Sequence, residues 1–218
     1  MRTVLVTGGT TRLGKAIADG LERAGWRVVR SSHRADAGAD VVADLSLEGG
    51  ADALFASVCS LLGGEPPDAV VNNAALYSGD GDAVRRVNLE APLRLSELMA
   101  GREDGGAVVN VLDCRVTKEG FSPAGGYEET KARLRDYTLS FRTSGGRLRV
   151  NGVAPGPVLA PVGVREKAGD TPLGRPTPEA VADAVAFLLS AEYTTGCIVP
   201  VDGAERRTAR PGANHAAS

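Results

Sequence analysis

Short β-branched runs alternate with amphipathic stretches along nearly the whole chain. Residues 4–6, 27–30, 40–42, 69–71, 107–112, 148–152 and 198–201 predict strands. Residues 13–24, 51–62, 82–99, 123–143 and 178–191 carry apolar positions at helical spacing and predict helices. Strict alternation of the two implies a parallel sheet with right-handed crossovers and helices on both faces. The predicted fold class is α/β, a Rossmann-type doubly wound parallel sheet of about seven strands. No internal repeat or low-complexity linker interrupts the pattern, so residues 1–203 predict a single domain. The polar tail, residues 204–218, predicts a flexible end.

Composition narrows the partners. The 218 residues suffice for one substantial core, and 43% hydrophobic with 24% charged residues is ordinary for a globular protein. A formal net charge of -2 and no Lys/Arg run argue against nucleic acid or an anionic membrane as main partner. No apolar run approaches the roughly 20 residues that span a bilayer. The first residues enter a strand directly, which predicts a chain without a signal peptide. Cys59, Cys114 and Cys197 are odd in number, far apart and in no metal-ligand spacing. They predict reduced thiols and a cytoplasmic location.

Two motifs carry chemistry. Thr7-Gly8-Gly9-Thr10-Thr11-Arg12-Leu13-Gly14 follows the first strand and opens the first helix, as a loop that brings backbone N–H groups to a pyrophosphate would. An Arg at position 12 cannot improve close backbone approach, but it can add a charge-assisted bond to phosphate. Further on, Tyr127 and Lys131 share one helix face at i, i+4 spacing. The ammonium is expected to favour phenolate and depress the Tyr127 pKa. The second strand runs into Ser32, His33 and Arg34, where a NAD-specific loop usually has an acid. A hydroxyl and a guanidinium suit a 2′-phosphate, which predicts NADPH. Asp36 is the alternative: were the loop shifted by a few residues, it would serve the ribose and reverse this preference. Asp44 faces adenine in such a layout, or is an exposed loop carboxylate.

These residues, with Asn72-Asn73-Ala74, Asn88 and Arg149-Val150-Asn151-Gly152-Val153-Ala154-Pro155-Gly156, resemble the classical short-chain dehydrogenase/reductase family in order and spacing. The likeness runs from about Val4 to Gly203 and is strongest to pteridine reductases and dihydromonapterin reductases. Arg12 in place of a glycine, His33-Arg34 after the second strand, Asp113 in place of the usual Ser, and Tyr77 four residues beyond Asn73 carry it. The resemblance implies catalytic roles for Asn88 (water relay), Asp113, Tyr127 (proton donor) and Lys131 (ribose binding). It implies cofactor contacts from Gly8, Thr11, Arg12, Leu13, Asp44, Leu45, Asn73, Ala74, Pro155, Gly156 and Val158 as well. Arg12, Tyr77, Asp113 and Tyr127 would meet the substrate, with Tyr77 stacking on a pterin ring.

A carboxylate at 113 accepts until protonated and would repel a developing alkoxide, so it suits a heterocycle with ring N–H and amino donors. The competing reading is a decayed or repurposed site. Asp113 also lies one residue further from Tyr127 than is commonest in the family. Tyr77 has a bland alternative as a loop aromatic, and Asn88 as a brace at a helix junction. The reaction expected is hydride transfer to a C=N carbon, with a ketoreductase or a non-catalytic NADPH-binding protein as rivals. Family analogy adds a homodimer or homotetramer.

Overall fold

Along β1 (Thr3–Val6), Val4 and Val6 enter one buried cluster and Leu5 another. That is the period-two alternation of a strand covered on both faces. β4 (Ala69–Asn72) and β5 (Gly106–Val111) repeat it: Val71 and Val109 lie on one side, Val70 and Val108 on the other. The computed structural model describes residues 1–35, 38–142, 147–159 and 171–205. Among them, β2 (Arg27–Ser32), β3 (Val41–Val42), β6 (Leu148–Pro155) and β7 (Ile198–Val201) complete a seven-stranded sheet. Every neighbouring pair is parallel and the order is β3-β2-β1-β4-β5-β6-β7.

Helices α1 (Arg12–Arg23) and α6 (Pro178–Ser190) cover the Val4 face through Ile17, Leu21, Val185 and Leu188. Helices α2 (Gly50–Leu61) and α4 (Ala91–Ala100) cover the Leu5 face through Leu54, Val58, Leu95 and Met99. α5 (Gly126–Ser140) joins that second layer by Tyr137. Strand order reverses between β1 and β4, so the loops leaving their carboxyl ends diverge and open a crevice. No helix among the described residues is long and apolar enough to cross a membrane.

The predicted helix over 82–99 is instead α3 (Gly81–Arg85), a π turn (Arg86–Glu90) and α4. Pro92 has no N–H for the Asn88 carbonyl four residues back, and its ring would crowd that oxygen. The wider π turn relieves both. α5 begins at Gly126 rather than 123, because Gly125 (φ 103) and Gly126 (φ 52) stand in the left-handed region that stops a helix from starting earlier.

The amino edge of the sheet is tied by two arginines. Arg149 donates to the carbonyls of Leu188, Ala191 and Leu189, each at 2.9 Å, and so caps the end of α6. Arg102 donates to the Gly105 and Pro66 carbonyls at 2.7 Å and pairs with Asp68 at 3.0 Å. Asp68 in turn accepts from the Thr3 backbone at 2.6 Å.

Candidate active site

The crevice is a cavity of about 560 Å³ lined by the loops that follow β1, β2, β3, β4, β5 and β6. Its floor is stitched by Thr7, whose hydroxyl accepts from the backbone of Asn73 and Ala74 at 3.0 Å. The Asn73 amide donates to the Thr7 and Gly8 carbonyls at 2.9 and 3.3 Å. This packing leaves no room for a side chain at Gly14: an added Cβ would stand 2.0 Å from the Gly8 carbonyl oxygen and 2.5 Å from the Asn73 amide nitrogen. Arg12 has φ 50, a left-handed conformation that costs a non-glycine residue about 1–2 kcal/mol. The turn expected of a glycine is therefore kept, with strain, while the loop gains a cation. Thr11 starts α1 without a side-chain cap bond, so the helix's first N–H groups are not taken up by that hydroxyl. Gly8, Thr11, Arg12 and Leu13 all line the cavity.

At the next stretch of wall stand Ser32, His33 and Arg34. The Ser32 hydroxyl accepts from the Arg34 backbone at 3.1 Å, which holds the turn while His33 and Arg34 remain exposed. Asp44 and Leu45 follow; Ser46 side-chain and backbone donors at 2.7 and 2.8 Å lower the Asp44 pKa. Asp36, the alternative ribose ligand, lies outside the described residues. Pro155, Gly156 and Val158 close the far wall, and an added Cβ at Gly156 would stand 2.8 Å from the Asp202 Cα.

Tyr127, Lys131 and Asp113 meet at the wall between α5 and the loop after β5. The Tyr127 hydroxyl donates to Asp113 Oδ2 at 3.3 Å. Burial would raise the Asp113 pKa, yet the Arg115 side chain and backbone outweigh it and hold the carboxyl below its ordinary value. The opposite happens at Tyr127, where burial and the Asp113 anion push the phenol well above its usual range. This corrects the expected depression by Lys131. The ammonium turns away, donating to the Val111 carbonyl at 2.7 Å and lying 5.8 Å from the Tyr127 ring centroid. Only 3% exposed, Lys131 is pushed down to about 8 by desolvation.

Two expected site residues lie off the cavity wall. Tyr77 is 70% exposed and rests its ring 4.9 Å from that of Tyr127. Asn88 is fully buried in the π turn, where it exchanges bonds with the Leu76 backbone at 2.8 and 2.7 Å and donates to Thr130 at 3.3 Å. Its amide braces the helix junction rather than facing the cavity. Arg115 is the residue that sequence reasoning missed. It forks onto both Asp113 oxygens at 3.1 and 2.8 Å and reaches Glu128 at 2.9 Å. The signal was an Asp-x-Arg spacing, common enough in turns to pass unnoticed.

Residues 10–204 match the family model described as enoyl-(acyl carrier protein) reductase. Among solved structures, FolM alternative dihydrofolate reductase 1 from Brucella canis, complexed with NADP, is 27% identical with a TM-score of 0.84, covering 96% of this chain and 95% of that one. The 3-oxoacyl-(acyl-carrier-protein) reductase of Aquifex aeolicus is 30% identical over 91% of this chain and 95% of its own. The rhamnolipid-biosynthesis 3-oxoacyl-(acyl-carrier-protein) reductase of Pseudomonas aeruginosa is 29% identical over 93% and 95%.

Proposed function

The chain belongs to the short-chain dehydrogenase/reductase family of oxidoreductases, and we propose that it reduces a C=N bond of a dihydropterin-like heterocycle with NADPH. The observation that carries the substrate class is Asp113, an ionised acceptor on the cavity wall 3.3 Å from the Tyr127 hydroxyl. A ring N–H or amino group would bond to it, whereas a developing alkoxide would be repelled.

The residues present fit the dinucleotide. Gly8 and Gly14 line the cavity with no side chain, and at Gly14 a Cβ would strike the Gly8 carbonyl, so the loop is held in a turn that exposes backbone. Arg12 and the start of α1 offer charge and backbone donors to a pyrophosphate. Ser32, His33 and Arg34 suit a 2′-phosphate, and Asp44 with Leu45 would border the adenine. Asn73 and Ala74 would line the ribose, and the backbone at Pro155, Gly156 and Val158 the carboxamide. When bound, NADPH supplies the hydride that reduces the C=N carbon and leaves as NADP⁺.

The chain's own work is at the nitrogen. Tyr127, kept protonated by burial and Asp113, would deliver the proton there. Arg115 favours the tyrosinate that results, since its charge opposes the rise in the phenol's pKa. Lys131, with a pKa near 8, would hold ribose hydroxyls and return a proton to Tyr127. Asn88 serves by holding Leu76, a wall residue, in place. A homodimer or homotetramer remains part of the proposal by family analogy.

The test is NADPH oxidation with dihydromonapterin, dihydrobiopterin and dihydrofolate. A folded, NADPH-binding protein silent on all of them would overturn the reading. The likeness to 3-oxoacyl-(acyl-carrier-protein) reductases favours a second reading, a ketoreductase. Ketones reduced faster than any pterin, with Asp113→Ser raising that rate, would select it.

A further inference from the structure

Asp113 does not meet the cavity alone. The Arg115 guanidinium donates to both of its oxygens, and the Arg115 backbone adds a third bond at 2.9 Å. The same side chain donates to Glu128 Oε1 at 2.9 Å, and Glu128 Oε2 accepts from the Ala124 backbone at 3.1 Å. Arg115 thus ties the turn after β5 to the first turn of α5, the turn that carries Tyr127. A bidentate fork fixes the plane of a carboxylate as well as its charge, which a lone ammonium would not do.

We propose that Arg115 is a positioning residue that sets substrate choice through Asp113. It keeps the carboxylate an anionic acceptor of fixed orientation. The pocket then takes reactants with N–H donors beside the carbon to be reduced, and turns away those that offer only a carbonyl oxygen. This rests on the dihydropterin reading above.

Other charged or titratable groups near Asp113 do not replace the fork. Tyr127 and Lys131 approach from α5, Glu128 acts through Arg115, and Tyr77 sits against Tyr127 from the loop after β4. Cys114 follows in the same turn, with Glu205 and Lys118 paired beyond it. Of the two lysines, Lys131 bonds to the Val111 carbonyl and Lys118 pairs with Glu205. Without Arg115, a largely buried carboxylate would face a phenol and take up a proton more readily. Once protonated, it would donate to a carbonyl oxygen as the family's alcohol does.

The experiment has two readouts on the full chain. Carboxyl-carbon NMR, assigned with Asp113→Asn, follows the Asp113 titration without substrate. In the wild type it should lie below the ordinary value of about 4 and rise by about a unit or more in Arg115→Met. The ratio of kcat/KM for a dihydropterin over a ketone should fall about tenfold or more in the same variant. Arg115→Lys should recover much of the titration shift but little of the selectivity. A wild-type Asp113 that titrates at or above the ordinary value overturns the proposal, whether or not Arg115→Met folds. An Arg115→Met protein with wild-type titration or wild-type ratio overturns it too. Failure of the dihydropterin reading shows separately, as no pterin turnover by the wild type. The two titrations then decide what Arg115 does.

Discussion

Both ends of the β-sheet place arginines beside acids and carbonyls, and they use them in opposite ways. At the amino edge, Arg149 and Arg102 give their donors to fixed backbone carbonyls and to Asp68, all within the chain. At the carboxyl edge, Arg115 gives its donors to Asp113 and Glu128, and the chain continues to Tyr127 on the cavity wall. Burial and charged neighbours together move the pKa values there: Arg115 holds Asp113 down, burial and Asp113 push Tyr127 up, and burial lowers Lys131 to about 8. The same kind of interaction staples one edge and, at the other, ends on ionisable groups that line the cavity.

Substitutions at the two edges should therefore separate stability from activity. Tyr127→Phe should lower the reduction rate by about 10²–10⁴-fold while leaving the denaturant midpoint near that of the wild type. An equal loss of stability would mean the phenol is structural. Arg149→Ala should do the reverse. It uncaps three carbonyls at the end of α6 and should cost about 2–3 kcal/mol in urea unfolding, with kcat unchanged.

Lys131→Met sharpens the contrast further. The folded-state pKa of about 8 lies below the ordinary lysine value of 10.5, so the unfolded chain binds that proton more tightly. Wild-type stability in the absence of ligand should rise as pH passes from about 8 towards 10.5. Relative to wild type, the Met variant should be more stable at neutral pH, lose that rise and bind NADPH more weakly. Thermal melts across the pH range, with and without NADPH, check all three. The smallest of these readouts is the ionisation of Tyr127 in Asp113→Asn. Removing the anion should lower the pH at which Tyr127 ionises, visible as a shifted phenolate absorbance that Tyr127→Phe abolishes.

Much of the scaffold was legible because strands buried on both faces appear as unbroken apolar runs, as in Val4-Leu5-Val6 and Val70-Val71. Gly8 and Gly14, the glycines expected to shape the loop after β1, do stand on the cavity wall. Breaks in helices were harder. Pro92 is compatible with an ordinary helix start, and only the register of the preceding turn shows that it forces a π turn. The spacing of Tyr127 and Lys131 placed both on one helix but could not say which way the ammonium turns. Likewise, Asp113 was visible as a departure from the family's alcohol, but the Arg115 fork that holds its carboxyl below the ordinary value was not. That partner acts through a local turn, and local turns leave no periodic trace.

The bend at Arg12 has a consequence of its own. Nature placed a long basic side chain where the backbone would sit more comfortably with no side chain at all. Arg12→Gly would relax that bend and delete a positive charge in one stroke, so a less strained apo loop and a looser hold on an anionic dinucleotide should arrive together. A chain that grips its nucleotide through main-chain amides alone would show the first change without the second.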